Sequence, residues 1–155
     1  VTKKLIITPE IGMSAALKEA KSAISRGEVP VGAVIVVGDE IIATASNRTE
    51  ELADPTAHAE ILAIREACKK QQDWRLEDAT IYVTLEPCTM CAAAIRNARI
   101  GKVIFGAKDP RMGAGGSLYD ILLEPRLGSE PKVLEGIESS ECLKLLNDFF
   151  KTLRK

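Results

Sequence analysis

The chain has a single histidine, His58, placed two residues before Glu60, and Pro87-Cys88-Thr89-Met90-Cys91 follows downstream. These segments supply one imidazole, two thiols and a carboxylate, and they restrict the fold more than any other feature. Cysteines at i and i+3 share a helix face, so Cys88 and Cys91 can grip one ion from a single turn, with Pro87 fixing the entry to it. His58 and Glu60 obey a different rule. Inside a helix, residues at i and i+2 point roughly 200° apart. They can serve one pocket only where a helix begins, with both side chains projecting around its tip. Pro55 and Thr56 supply such a start. Two helix N-termini must then meet, and their dipoles offset the charge of the thiolates.

One imidazole and two thiolates suit zinc, and three protein ligands leave a tetrahedral ion one open position. That vacancy separates a catalytic zinc from a structural one. A closed site needs a fourth ligand. Cys68 lies ten residues further along the same helix, roughly 15 Å from His58. Cys142 stays open as an alternative, although it sits on a helical apolar stripe, where a buried thiol is expected. A redox C-x-x-C leaves His58 and Glu60 unexplained. The open site is the favoured reading, with Cys68 and Cys142 as core residues. Glu60, adjacent but not coordinating, can take a proton from zinc-activated water and pass it to a nitrogen. That is the chemistry of hydrolytic deamination.

The 155 residues fit a single domain over 1–155, and 46% of them are hydrophobic. The longest apolar runs, such as Val31 to Val37, are too short to span a bilayer, and no secretory signal is evident. A cytoplasmic protein with no membrane partner is expected. The net charge of -1 gives no global reason for a nucleic-acid partner. Locally, Arg96, Arg99, Lys102, Lys108 and Arg111 face only Asp109, and Lys151, Arg154 and Lys155 stand beside Phe149 and Phe150. Together these clusters permit a phosphate-contacting face.

Along the chain, Thr8-Pro9-Glu10 starts a helix that Arg26-Gly27 ends. Val31 to Val37 and Ile41 to Ala45 form a hairpin through Gly38-Asp39. A polar stretch from Asn47 to Pro55 leads to a helix over His58 to Lys70, with Ile61, Ile64 and Cys68 on one face. Ile81 to Leu85 is a strand without amphipathic alternation. A helix over Cys88 to Asn97, a strand over Lys102 to Gly106 and a glycine-rich segment over Asp109 to Ser117 follow. Leu118 to Leu123 reads as a helical turn, Lys132 to Glu135 as a short strand, and Ser139 to Leu153 as an amphipathic helix. Trp74 is expected at the core edge. Strands alternating with helices indicate an α/β fold with helices on both faces of a sheet.

H-x-E followed by P-C-x-x-C is the pattern of zinc deaminases, and the chain carries both elements. More of the chain resembles one family within them, the bacterial tRNA-specific adenosine deaminases. The likeness is carried by Glu28 to Ala33, Asn47-Arg48, Asp54 to Glu60, Tyr82 to Cys91, Phe105 to Asp109, Gly113 to Ser117 and Asp148-Phe149-Phe150. It covers nearly the whole chain from Met13 onward.

The resemblance implies a cytidine-deaminase-like three-layer α/β/α sandwich on a central mixed five-stranded sheet. It implies a homodimer that converts the wobble adenosine of a tRNA anticodon stem-loop to inosine. His58, Cys88 and Cys91 would hold one Zn2+ per subunit, and Glu60 would shuttle protons. Asn47 would bond the base, with Pro30, Val31 and the backbone of Ala59 shaping its pocket. Asp109 would touch neighbouring nucleotides, and Phe149 and the basic tail would lie along the RNA. The competing readings are a deaminase of free guanine or cytosine bases or nucleosides, and a non-catalytic zinc module, which would have no need of Glu60.

Overall fold

Thr8 starts the first helix as its residue type demands. Its hydroxyl accepts the N–H of Ile11 at 3.2 Å, and Pro9 opens α1, Pro9–Ile24. The structure, a computed structural model, describes residues 6–153. Arg154 and Lys155 of the expected basic tail lie outside the described residues. After α1 the elements are β1 (Gly32–Val37), β2 (Glu40–Ser46), α2 (Thr49–Leu52), α3 (Ala59–Gln71), β3 (Ala79–Leu85) and α4 (Thr89–Asn97). Then come β4 (Lys102–Ala107), a 3-10 turn (Pro125–Leu127), β5 (Lys132–Glu135) and α5 (Ser139–Leu153). The short α2 falls inside the stretch expected to be a polar loop.

The five strands form one sheet in the order β2-β1-β3-β4-β5. β1 runs antiparallel to β2 and β3, whereas β3, β4 and β5 are parallel. The sheet is therefore mixed, as the resemblance implied. Alternate residues feed two cores. Val34, Val36, Tyr82 and Ile104 pack with Met13, Ala16 and Leu17 of α1 and with Cys142 of α5. Ala33, Ile35, Ile81, Val83, Val103 and Phe105 pack on the other side with alanines of α3 and with Ala92 and Ile95 of α4. With both faces covered, the central strands need no polar side, which is why β3 shows no alternation. α1 lies so close on β1 that a Cβ at Gly32 would sit 2.0 Å from the carbonyl oxygen of Ala16.

Three expectations change. α3 buries Ala59, Glu60, Ala63 and Ala67, not Ile61, Ile64 and Cys68, which are only partly buried. Small residues let the helix settle close on the sheet, and the bulkier side chains move to its flank. Residues Leu118 to Leu123 form no helical turn. The buried guanidinium of Arg96 takes the carbonyls of Ile121, Leu122 and Glu124 at 3.0, 3.0 and 2.9 Å, groups a helix would need for itself. Trp74 does not cover the core edge. It is 54% exposed, with the guanidinium groups of Arg75 and Arg99 each 5.1 Å from its ring. No helix among the described residues is long and apolar enough to cross a membrane.

Candidate active site

The tips of α3 and α4 meet beyond the C-terminal end of β3. His58 is the N-cap residue of α3 and Cys88 that of α4, both in extended backbone, and neither side chain makes a capping bond. Their side chains are therefore available to each other. The α3 tip is held by its neighbours. The Asp54 carboxylate accepts the N–H and hydroxyl of Thr56, at 2.8 and 2.7 Å. The N–H of Ala59 donates to Oδ1 of Asn47 at 2.8 Å. Asn47 thus performs the capping that His58 does not. Its own N–H donates to the carbonyl of Val31 at 3.2 Å, which fixes Asn47 against buried Pro30 and Val31.

His58, Cys88 and Cys91 bring their ligand atoms within 4.8 Å of one another and could hold a metal ion. Nδ1 is the imidazole nitrogen turned to the sulfurs, 3.6 Å from Cys88 Sγ and 3.4 Å from Cys91 Sγ. No other histidine, cysteine or carboxylate joins the group among the described residues. Cys68 and Cys142 stand apart, Cys68 half-buried and Cys142 fully buried in the α1/α5 core. A hydrogen bond from Cys91 holds the Cys88 thiol well below its usual range, while the bond and burial drive Cys91 upward. The bond to Cys88 also raises His58. Glu60, in the first turn of α3, is 4% exposed. Burial pushes its pKa up to about 7, against the opposing pull of its own N–H and of His58. Both features asked of this site by sequence, paired helix tips and an inward Glu60, are present.

The outer residues divide. Asp109 turns its carboxylate back on its own loop, accepting the N–H groups of Arg111 and Met112 at 3.0 and 3.1 Å. Phe149, expected along the RNA, is only 7% exposed on the inward stripe of α5, and Phe150 meets it edge to face. The outward Phe150 instead lines a groove of about 760 Å³ with Val29, Leu85, Lys108, Arg111 and Lys151. Of the basic cluster, only Lys108 and Arg111 lie at this end. Arg96 is buried, and Arg99 and Lys102 stand near the opposite end of the parallel β3–β4 pair. Lys108 also pairs with Glu135 at 3.4 Å.

Sequence reading missed two buried carboxylates. Glu28 accepts the N–H groups of Glu50 and Glu51 at 3.1 and 2.8 Å and so anchors α2. Glu86 does the same for the segment after β4. Glu86 left one signal, an acidic residue closing an apolar strand just before the cysteines.

The model of the MafB19-like deaminase family matches residues 8–154. A tRNA-specific adenosine deaminase of Bacillus subtilis is 51% identical over 146 residues, 94% of this chain and 91% of the relative. One of Aquifex aeolicus is 51% identical over 145 residues, 94% of this chain and 95% of the relative. A solved structure from studies of A-to-I editing by tRNA:A34 deaminases at the wobble position of transfer RNA superposes with a TM-score of 0.84. It is 50% identical and covers 87% of this chain and 98% of its own.

Proposed function

The chain belongs to the MafB19-like deaminase family and to the tRNA-specific adenosine deaminases, and from that premise we propose that it converts the wobble adenosine of a tRNA anticodon loop to inosine by zinc-dependent hydrolysis. The observation that carries this reading is the meeting of two helix tips, which groups His58, Cys88 and Cys91 beside a buried Glu60.

The ligand spacing supports zinc. Bonds of about 2.3 Å to sulfur and 2.0 Å to nitrogen in a tetrahedron put S and N roughly 3.5 Å apart. The 3.6 and 3.4 Å separations here need almost no adjustment. His58 Nδ1, Cys88 and Cys91 hold the ion, one per chain. When bound, zinc supplies the Lewis acidity that lets water be deprotonated near neutral pH.

Glu60 takes a proton from the attacking water as its oxygen bonds to C6 of adenine. It returns that proton to nitrogen, and the C6–N bond breaks to release ammonia. A carboxyl buried beside the ligand group is placed for both halves of that exchange. Asn47, its oxygen committed to Ala59, has its amide N–H groups to offer the base, and Pro30, Val31 and the Ala59 backbone form the wall behind it. Asp109 shapes the neighbouring turn, and Lys108, Arg111 and Lys151 supply the positive rim of a groove that takes single-stranded loop RNA. Phe150 replaces Phe149 as the aromatic facing that groove.

One catalytic domain over 1–155 accounts for the site. The protein works as a homodimer in the cytoplasm. Exposed Met112, Leu118, Tyr119, Leu123 and Leu127 along one segment support a partner surface. Free thiols grouped for metal binding support a reducing compartment.

The experiment is to incubate pure protein with an anticodon stem-loop and, separately, with free adenine, guanine and cytidine. Inosine at a single loop position is expected. Ammonia from the free bases alone would reject the reading.

A further inference from the structure

The glycine-rich segment over residues 109–117 is wrapped around a carboxylate of the chain's own. Glu86 follows β3 and is 2% exposed. One of its oxygens accepts the N–H of Asp109 at 3.0 Å and the hydroxyl of Ser117. The other accepts the N–H groups of Gly115 and Ser117 at 2.9 and 3.0 Å. Four donors on two oxygens use nearly all that a carboxylate can accept.

The fit leaves no room for a side chain. A Cβ on Gly113 would lie 2.4 Å from the carboxyl carbon of Glu86 and 2.5 Å from the carbonyl oxygen of Asp109. The next residues continue the seam. Ala114 donates its N–H to the carbonyl of Pro87 at 2.8 Å, and Cys88 pairs with Gly113 in an antiparallel bridge. The glycine cluster lacks the spacing and lysine of a phosphate loop. Its inward N–H groups already hold an internal anion.

We propose that Glu86 is a positioning residue for the RNA substrate, holding segment 109–117 so that Asp109 and Arg111 form one wall of the groove beside the reacting base. This rests on the tRNA reading above. Glu86 grips the backbone of Asp109, whose side chain in turn closes the Arg111–Met112 turn. Freeing the carboxylate frees the turn and the groove wall with it. Glu86 itself meets neither substrate nor reacting atom.

The test compares the metal-loaded protein with Glu86→Gln, which keeps the shape but sets an amide NH2 against N–H donors. On an anticodon stem-loop, KM rises about tenfold or more while kcat stays within about threefold. Metal content is unchanged. Amide exchange quickens at Gly115 and Ser117 while the amides of β1 and β3 keep their protection. A KM within about twofold of wild type, or a fall in kcat at constant KM, overturns the proposal. Ser117→Ala removes one donor from an exposed residue and carries the test should Glu86→Gln fail to fold. It raises KM about two- to fourfold, and an unchanged KM overturns the proposal. A wild-type protein that makes no inosine on the stem-loop defeats the substrate reading instead. An active wild type with both variants unaffected defeats only the role of Glu86.

Discussion

Glu60 and Glu86 are both hidden from solvent, 4% and 2% exposed, yet Glu60 lies deep in the protein and Glu86 nearer its surface, and their pKa values move in opposite directions. Burial raises Glu60 to about 7, and neither its own N–H nor His58 reverses that. Burial also pushes Glu86 upward, but the Ser117 hydroxyl and the N–H groups of Asp109, Ser117 and Gly115 outweigh it and leave the group below its usual range. Depth of burial and the supply of donors act together on a carboxylate, burial prevailing at Glu60 and the donors at Glu86. A group that must take and return a proton is kept short of them, and one that must stay put is surrounded by them. Glu28, fully buried, accepts the N–H groups of Glu50 and Glu51 and the hydroxyl of Thr49, which makes it a structural anchor for α2.

The widest test of that contrast is Glu60→Gln, which should lower turnover by on the order of 10²–10⁴-fold while metal stoichiometry is retained. Its stability in a urea titration should equal or exceed wild type, because a costly buried acid is gone. Turnover above about a tenth of wild type would remove Glu60 as the proton carrier. Glu28→Gln should behave oppositely, losing about 1–3 kcal/mol in the same titration because buried N–H groups lose an acceptor. A neutral result there would mean that Glu28 does not anchor α2.

Exposed charges should act through screening instead. Replacing Lys108 and Arg111 by alanine should flatten the salt dependence of stem-loop binding by about 0.7 for each phosphate no longer neutralised. An unchanged slope in a fluorescence anisotropy series would take both off the RNA.

The smallest effect belongs to another buried acid. Burial raises the Cys142 thiol to about 12. The folded protein therefore keeps a proton that the unfolded chain releases above its ordinary thiol pKa, so stability falls as pH rises from about 9 towards 12. The loss should be about 1 kcal/mol between pH 9 and 10, and Cys142→Ala should abolish that component. Equal slopes for the two proteins would contradict it.

Much of this arrangement is legible in the residues. The i, i+2 spacing of His58 and Glu60 forces a helix to begin at that point, and the structure starts α3 at Ala59. The apolar run of β3 announces a strand covered on both sides. What stays hidden depends on partners remote in sequence. Arg96 looks like any basic residue on a helix until carbonyls 25 to 28 positions away converge on it. The glycines of the 109–117 segment have no local meaning without Glu86 beneath them. The inward face of α3 eludes a reading by hydrophobicity because isoleucine outranks alanine on that scale, whereas closeness of approach favours the smaller residue. Phe149 and Phe150 are adjacent, and helix phase alone decides which is buried.

Trp74 carries a practical consequence. It lies past the C-terminal end of α3, a helix about 20 Å long, with the metal-binding group at the other end. The chain's sole indole is already wet and lies against two cations. Its intrinsic emission will therefore report on the Arg75–Arg99 neighbourhood and stay silent when RNA docks. Titrations of this enzyme call for a label placed near Phe150.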